Sequence, residues 1–228
     1  MRKSLVVAVT AISLVLSAPL ATAGGKATPK PVKAAAAKSL CASTDAVGHP
    51  PKEVSIPTLI KNRNVNKIFT LNTNCGKIVF EAFTSKAPTT VSAMTSLANQ
   101  GFFDASLCHR LTTALIFVLQ CGDPTAEGGG GPKFTYRDEN LPKAEQNNYP
   151  AGTVAMANSG PGPNNSGTNS SQFFLVYANT TLPPNYTIWG QITQGLDIVK
   201  AVAAKGVANG SKDGAPAQTI ALEKVTVK

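Results

Sequence analysis

From Lys67 onward the chain is built of short apolar runs separated by turn residues. Ile68-Phe69-Thr70-Leu71 and Ile78-Val79-Phe80 are β-branched or aromatic, and NTNCG between them is turn chemistry, which predicts a hairpin. Further strands are predicted within SLCHRLT (106–112), LIFVLQCGD (115–123), GTVAMAN (152–158), SQFFLVYA (171–178), TIWGQIT (187–193) and QTIALEKVTVK (218–228). Two stretches change period. In APTTVSAMTSLANQGFF (87–103), Val91, Met94, Leu97 and Ala98 fall at helical spacing and Gly101 follows as a stop; QGLDIVKAVAAK (194–205) reads as a second helix. About eight short strands with two helices predict a mainly β fold, a closed antiparallel eight-stranded barrel capped by two α-helices.

The first 66 residues follow a different pattern. Arg2 and Lys3 precede an apolar run from Leu5 to Leu16 broken only by Thr10 and Ser13, and Ala21-Thr22-Ala23 has the form of a cleavage site. The run is shorter than the roughly 20 apolar residues a membrane span needs. Residues 1–23 are therefore read as a signal peptide that directs the chain to the cell envelope or beyond and leaves no stable membrane insertion once cleaved. Residues 24–65 read as a flexible Ala/Pro/Lys-rich tether and N-terminal extension. Its last part, around the Pro-rich GHPPKEVSIPTLIK, is expected to be irregular and pinned by sulfur. Residues 66–228 form the folded domain.

Composition narrows the function. The hydrophobic fraction of 43% supports a sizeable core, and the net charge of +9 owes much to lysines near the N-terminus. Lys and Arg do not cluster with aromatics, so nucleic acid is not the expected partner. Four cysteines, Cys41, Cys75, Cys108 and Cys121, in an exported chain imply two disulfides with three connectivities open. The competing zinc site lacks a C-x-x-C pair and has only His49 and His109 to draw on. The EGGGGP stretch (127–132) lacks the G-K-[ST] ending of a phosphate loop. Asn164, Asn169, Asn179, Asn185 and Asn209 each begin an N-x-[ST] sequence. Glycan at several of them would crowd the groove proposed below, which favours a host that leaves them bare, such as a bacterium.

Five phrases, in order, carry a family resemblance: CHRL (108–111), IFVLQCGDP (116–124), TVAMANSGP (153–161), NSSQFFLV (169–176) and TIWGQI (187–192). Over residues of about 66–228 the chain resembles the cyclophilins, peptidyl-prolyl cis/trans isomerases; the helix at 87–103 fits as well. The resemblance implies an enzyme that needs no metal or cofactor, binds proline-containing segments and acts as a monomer. It implies Arg110 and Gln120 as the catalytic pair. It implies His109, Phe117, Met156, Ala157, Asn158, Gln172, Phe174, Leu182 and Tyr186 around the substrate, with Phe117, Met156, Phe174 and Leu182 as walls of the proline pocket. Glycines 128–131 become a mobile loop beside that site. A Cys108–Cys121 bridge would staple the strands that carry Arg110 and Gln120, those two pairing with a slight diagonal stagger. Cys41–Cys75 would then tie the extension to the first hairpin turn.

The chain also departs from the family pattern. The link LTTALI (111–116) lacks the family's Pro and Gly and is longer, Cys121 replaces a glycine, Thr181 stands where the family has a Trp that rims the pocket, and Tyr186 replaces a His. These departures leave a second reading open, a catalytically weak module that binds proline-containing segments or envelope partners.

Overall fold

The computed structural model describes residues 40–55 and 57–228, so the expected signal peptide and the first part of the tether, residues 24–39, lie outside the described residues. Residues 40–66, where described, contain neither helix nor strand. They are fastened to the domain by Cys41–Cys75, by His49 N–H donating to the Pro124 carbonyl at 2.8 Å, and by Ile60 N–H donating to Ser92 Oγ at 2.9 Å.

Among the described residues ten strands form one antiparallel sheet: β1 Lys67–Thr73, β2 Gly76–Ala82, β3 Ser106–Leu107, β4 Arg110–Thr112, β5 Val118–Cys121, β6 Thr153–Met156, β7 Phe173–Val176, β8 Ile188–Gln194, β9 Asp213–Gly214 and β10 Ala221–Val227. Their order is β3-β10-β1-β2-β8-β6-β7-β5-β4-β9. The expected closed eight-stranded barrel is therefore corrected to a curled ten-stranded sheet. The cause is local. The strand expected over 106–112 breaks at Cys108–His109 into β3, which pairs with β10, and β4, which pairs with β5. The chain itself, rather than a hydrogen-bonded ladder, spans the gap. The two-residue β9 then adds to the free side of β4.

The described residues also hold two α-helices, α1 Pro88–Asn99 and α2 Leu196–Ala203. The sequence provides no capping side chain next to α1, whose N-cap is Ala87. Glu139 does the work from a distance: its carboxylate accepts from Thr89 N–H (3.0 Å), Thr90 N–H (2.9 Å) and the Thr90 hydroxyl (3.0 Å). An acid there satisfies orphan amides and complements the positive end of the helix. Before α2, Gly195 adopts φ +85°, and a Cβ there would lie 2.4 Å from the Lys77 carbonyl oxygen, so only glycine fits.

Inward-facing side chains from both helices and most strands merge into one core. Trp189 is fully buried at its centre, edge-on to Phe69 (5.2 Å), Phe80 (5.0 Å) and Phe173 (6.1 Å). A smaller cluster, Val118, Tyr149, Ala155, Phe174 and Val176, lies on the opposite face of β5, β6 and β7. Strand alternation separates the two sets: Leu119 and Cys121, Val154 and Met156, Phe173 and Leu175 face the main core, and their neighbours face outward. That outer face builds the site.

All four cysteines are paired, Cys41 with Cys75 and Cys108 with Cys121. The second bridge closes a separation of 13 residues, for which the chain-entropy model gives about 3 kcal/mol. Two disulfides point to an oxidising, extracytoplasmic setting. No helix among the described residues is long and apolar enough to cross a membrane.

Candidate active site

A hollow of about 120 Å³ opens on the outer face, lined by Arg110, Ile116, Val118, Gln120, Ala157, Asn158, Phe174, Leu182 and Tyr186. Its floor is apolar: Phe174 packs edge-on against Tyr186 at 5.6 Å, and Tyr186 packs against Tyr149 at 6.2 Å. Burial pushes the Tyr149 hydroxyl up to about 12, and that hydroxyl donates to the Tyr186 carbonyl at 3.0 Å. The rim is polar. Asn158 Nδ2 donates to Asp138 Oδ1 (3.1 Å) and the Asn185 carbonyl (2.7 Å), which fixes one side.

The charged wall is a chain of hydrogen bonds. Arg110 and Gln120 are direct partners across β4 and β5, not diagonal ones, because the break at Cys108–His109 absorbs the offset and lets Cys108 turn into the core toward Cys121. Arg110 Nη1 donates to Gln120 Oε1 at 3.2 Å. Gln120 Nε2 donates to Gln172 Oε1 at 2.8 Å. Gln172 Nε2 in turn donates to the carbonyls of Gly128 (2.9 Å) and Gly130 (3.1 Å). On its other side Arg110 meets Asp213, with Nε to Oδ1 and Nη2 to Oδ2 both at 2.7 Å. The Asp213 hydrogen bond raises the Arg110 guanidinium further, and the same bond holds the Asp213 carboxyl below the usual range.

Gln172 lines an adjoining hollow with Gln120, Gly128, Ala157, Asn158, Ser159, Thr168 and Ser170. The glycine-rich loop at its edge cradles a carboxylate of the protein itself. Asp123 Oδ2 accepts from Gly128 N–H (2.6 Å) and Gly130 N–H (3.0 Å), and Oδ1 accepts from Thr125 N–H and its hydroxyl, both at 2.8 Å. A Cβ at Gly130 would fall 2.0 Å from Asp123 Oδ1, which explains a glycine there. Burial pushes the Asp123 carboxyl up, but the donors at Gly130, Thr125 and Gly128 outweigh it and hold it below the usual range. A depressed folded value contributes stability above the ordinary carboxylate pKa and loses it as pH falls through the folded value. Asp123→Asn should therefore cost about 2 kcal/mol at pH 7 and progressively less toward pH 3. Urea denaturation at both pH values checks this, and an equal cost at each would contradict it.

Of the residues expected around the substrate, Ala157, Asn158, Phe174, Leu182 and Tyr186 line the central hollow with Arg110 and Gln120, and Gln172 lines the adjoining one. Three lie elsewhere. Phe117 packs against the main core beside Tyr177, 5.9 Å between rings. Met156 is fully buried in that core, its sulfur 3.8 Å from the Tyr136 hydroxyl. Both sit one residue out of phase with the outward-facing positions, so Val118 and Ile116 take the wall expected of Phe117. His109 points into a separate hollow with Cys108, Ala126, Ala215 and Pro216. Its ring nitrogens find no hydrogen-bond partner among the described residues, and burial lowers its pKa, so the ring is neutral at pH 7. Thr181, at the place of the family's Trp, accepts a hydrogen bond from Asn147 N–H at 2.9 Å. Ile116 and Val118 line the hollow and Asp213 pairs with Arg110, yet the motifs singled out none of the three as site residues.

Comparison with known proteins agrees with this geometry. Residues 68–227 match the family model of the cyclophilin type peptidyl-prolyl cis-trans isomerase/CLD. A probable peptidyl-prolyl cis-trans isomerase B of Mycobacterium tuberculosis is 42% identical over 186 residues, covering 77% of this chain and 58% of that protein. Its counterpart in Mycobacterium leprae is 42% identical over 187 residues, covering 77% of this chain and 60% of the relative, so the chain spans rather less than two thirds of the length of these proteins. A crystal structure of a Cryptosporidium parvum cyclophilin type peptidyl-prolyl cis-trans isomerase superposes with a TM-score of 0.61 at 24% identity, covering 72% of this chain and 98% of that one. Motif order, the groove wall and the family match converge: the chain belongs to the cyclophilin-type peptidyl-prolyl cis-trans isomerase family.

Proposed function

We propose that this chain is an exported prolyl isomerase that accelerates rotation about X-Pro bonds of proteins folding outside the cytoplasm. In this reading residues 1–23 are a cleaved signal peptide, 24–65 are tether and extension, and the 66–228 domain acts alone, as a monomer, on proline-containing segments. The observation that carries the reading is a guanidinium fixed at the lip of an apolar hollow, Arg110 beside Val118, Phe174 and Leu182.

The reaction breaks no covalent bond. Resonance gives the imide C–N bond a rotation barrier of about 18–20 kcal/mol, and isomerisation unaided takes tens to hundreds of seconds. The apolar floor holds the pyrrolidine ring while the preceding carbonyl turns. As the bond twists, the prolyl nitrogen recovers its lone pair. A positive donor beside it is then worth more in the twisted state than in either planar state, which is the condition for catalysis. Arg110 remains charged at every relevant pH and presents planar donors. Gln120 orients it and can bond the substrate backbone. No proton moves, so a neutral His109 outside the groove is no obstacle.

A protease-coupled assay on an Ala-Pro peptide tests the reading. Phe174→Ala should raise KM and lower kcat/KM by roughly 10- to 100-fold, since it removes apolar contact of about 1.5–3 kcal/mol. An unchanged KM would place proline elsewhere. Peptide binding without acceleration would favour the catalytically weak module instead.

A further inference from the structure

We infer that Asp213 is a positioning residue for the Arg110 guanidinium, fixing its plane so that two of its N–H groups remain directed to the substrate. The inference rests on the isomerase reading above. Asp213 lies on β9, the two-residue strand held by β4 with Leu111 opposite Gly214 and Thr112 opposite Asp213. Side chains at 110 and 112 share one face of β4, so Asp213 reaches Arg110 along the diagonal, a distance long side chains span. The loop before β9 is braced. Ser211 N–H donates to Asn209 Oδ1 (3.0 Å), Ser211 Oγ donates to the Asp213 carbonyl (2.7 Å), and Thr113 N–H donates to the Lys212 carbonyl (2.9 Å). The carboxylate is thus delivered by a self-bonded turn.

Counting donors gives the consequence. A guanidinium has five N–H bonds. Asp213 takes the one on Nε and one on Nη2, and Gln120 takes one on Nη1. One N–H on each of Nη1 and Nη2 is left. Gln120 alone is a single contact about which the planar group can turn; two parallel bonds to one carboxylate remove that freedom. The pair does little for stability, because the side chains of Arg110 and Asp213 are 41% and 53% exposed. Its negative charge also weakens the pull of the guanidinium on the prolyl nitrogen. Water reaches the carboxylate and screens that effect, whereas orientation acts on every turnover, so positioning dominates.

The test compares wild type, Arg110→Ala, Asp213→Asn and Asp213→Glu in the isomerase assay, with the Arg110 Nε–H followed by NMR. Asp213→Asn should lower kcat by about 10- to 100-fold, the cost of a misplaced catalytic group, with KM within twofold and the unfolding midpoint unchanged. Asp213→Glu, which keeps the carboxylate, should recover most of the rate. The Nε–H signal should be protected from exchange in wild type and Asp213→Glu and lost in Asp213→Asn. If Arg110→Ala is inactive while Asp213→Asn stays within twofold of wild type, the positioning role is overturned. The same follows if the rate falls with the Nε–H signal unaltered. An inactive wild type would instead overturn the isomerase reading on which the inference stands.

Discussion

Replacing Arg110 by alanine should lower kcat/KM on an Ala-Pro peptide by about 100- to 1000-fold, the range seen when a preorganised donor to developing charge is removed. The loss should fall mainly on kcat, because the guanidinium should matter most when the imide is twisted, while the apolar lining of Val118, Phe174 and Leu182 is left in place to hold the ring. Folding should survive. The side chain is 41% exposed, and the carboxylate it leaves behind is 53% exposed, so no buried charge is stranded. Arg110→Lys is the sharper variant. Lysine retains the charge, yet an ammonium is a point charge without a planar fork and cannot reproduce the paired bonds to Asp213 together with the bond to Gln120. It should recover less than a tenth of the lost rate. Full recovery by lysine would mean that charge alone suffices and that planar geometry contributes nothing.

Trp189→Ala should have the largest effect on stability. The indole is fully buried and touches aromatic rings from β1, β2 and β7, so its removal empties the middle of the core. Large-to-small changes of this kind cost about 3–5 kcal/mol, a large share of the roughly 5–15 kcal/mol available to a folded domain. The midpoint of thermal unfolding, followed by far-ultraviolet circular dichroism, should fall by about 10 °C or more. Trp189→Phe should lose much less, since edge-on packing can be retained. A loss below about 1 kcal/mol for the alanine variant would show that the core is not centred on this ring.

Short periodic runs made most of the sheet legible in the sequence alone. The alternation in Ile68–Leu71 and Ile78–Phe80 and the helical spacing of Val91, Met94 and Leu97 mark β1, β2 and α1 where they occur. The pairing of Arg110 with Gln120 across β4 and β5 was legible from the ordered motifs. Parity across β5 and β6 was not. A motif names Phe117 and Met156 but does not say which face of the sheet each takes, and a one-residue difference in phase moves a side chain from groove to core. The β4–β5 link was equally opaque. It turns at Leu115 with φ +66°, a left-handed conformation seldom taken by leucine, and leaves that side chain 92% exposed. LTTALI contains no glycine or proline to mark such a turn. Asp213 and Glu139 act on partners far away in sequence, Arg110 and the start of α1, and local pattern holds no trace of contacts made by tertiary folding.

A fixed guanidinium beside an apolar hollow is the feature proposed to speed rotation about a prolyl bond. Two-dimensional exchange NMR on an Ala-Pro peptide, with catalytic amounts of the wild-type chain, measures that rotation at equilibrium without a coupling enzyme. Wild type should give saturable cis–trans exchange cross-peaks, with exchange far faster than the uncatalysed tens to hundreds of seconds, and Arg110→Ala should give none. Exchange no faster than in peptide alone, or equally fast with the alanine variant, would contradict that proposal.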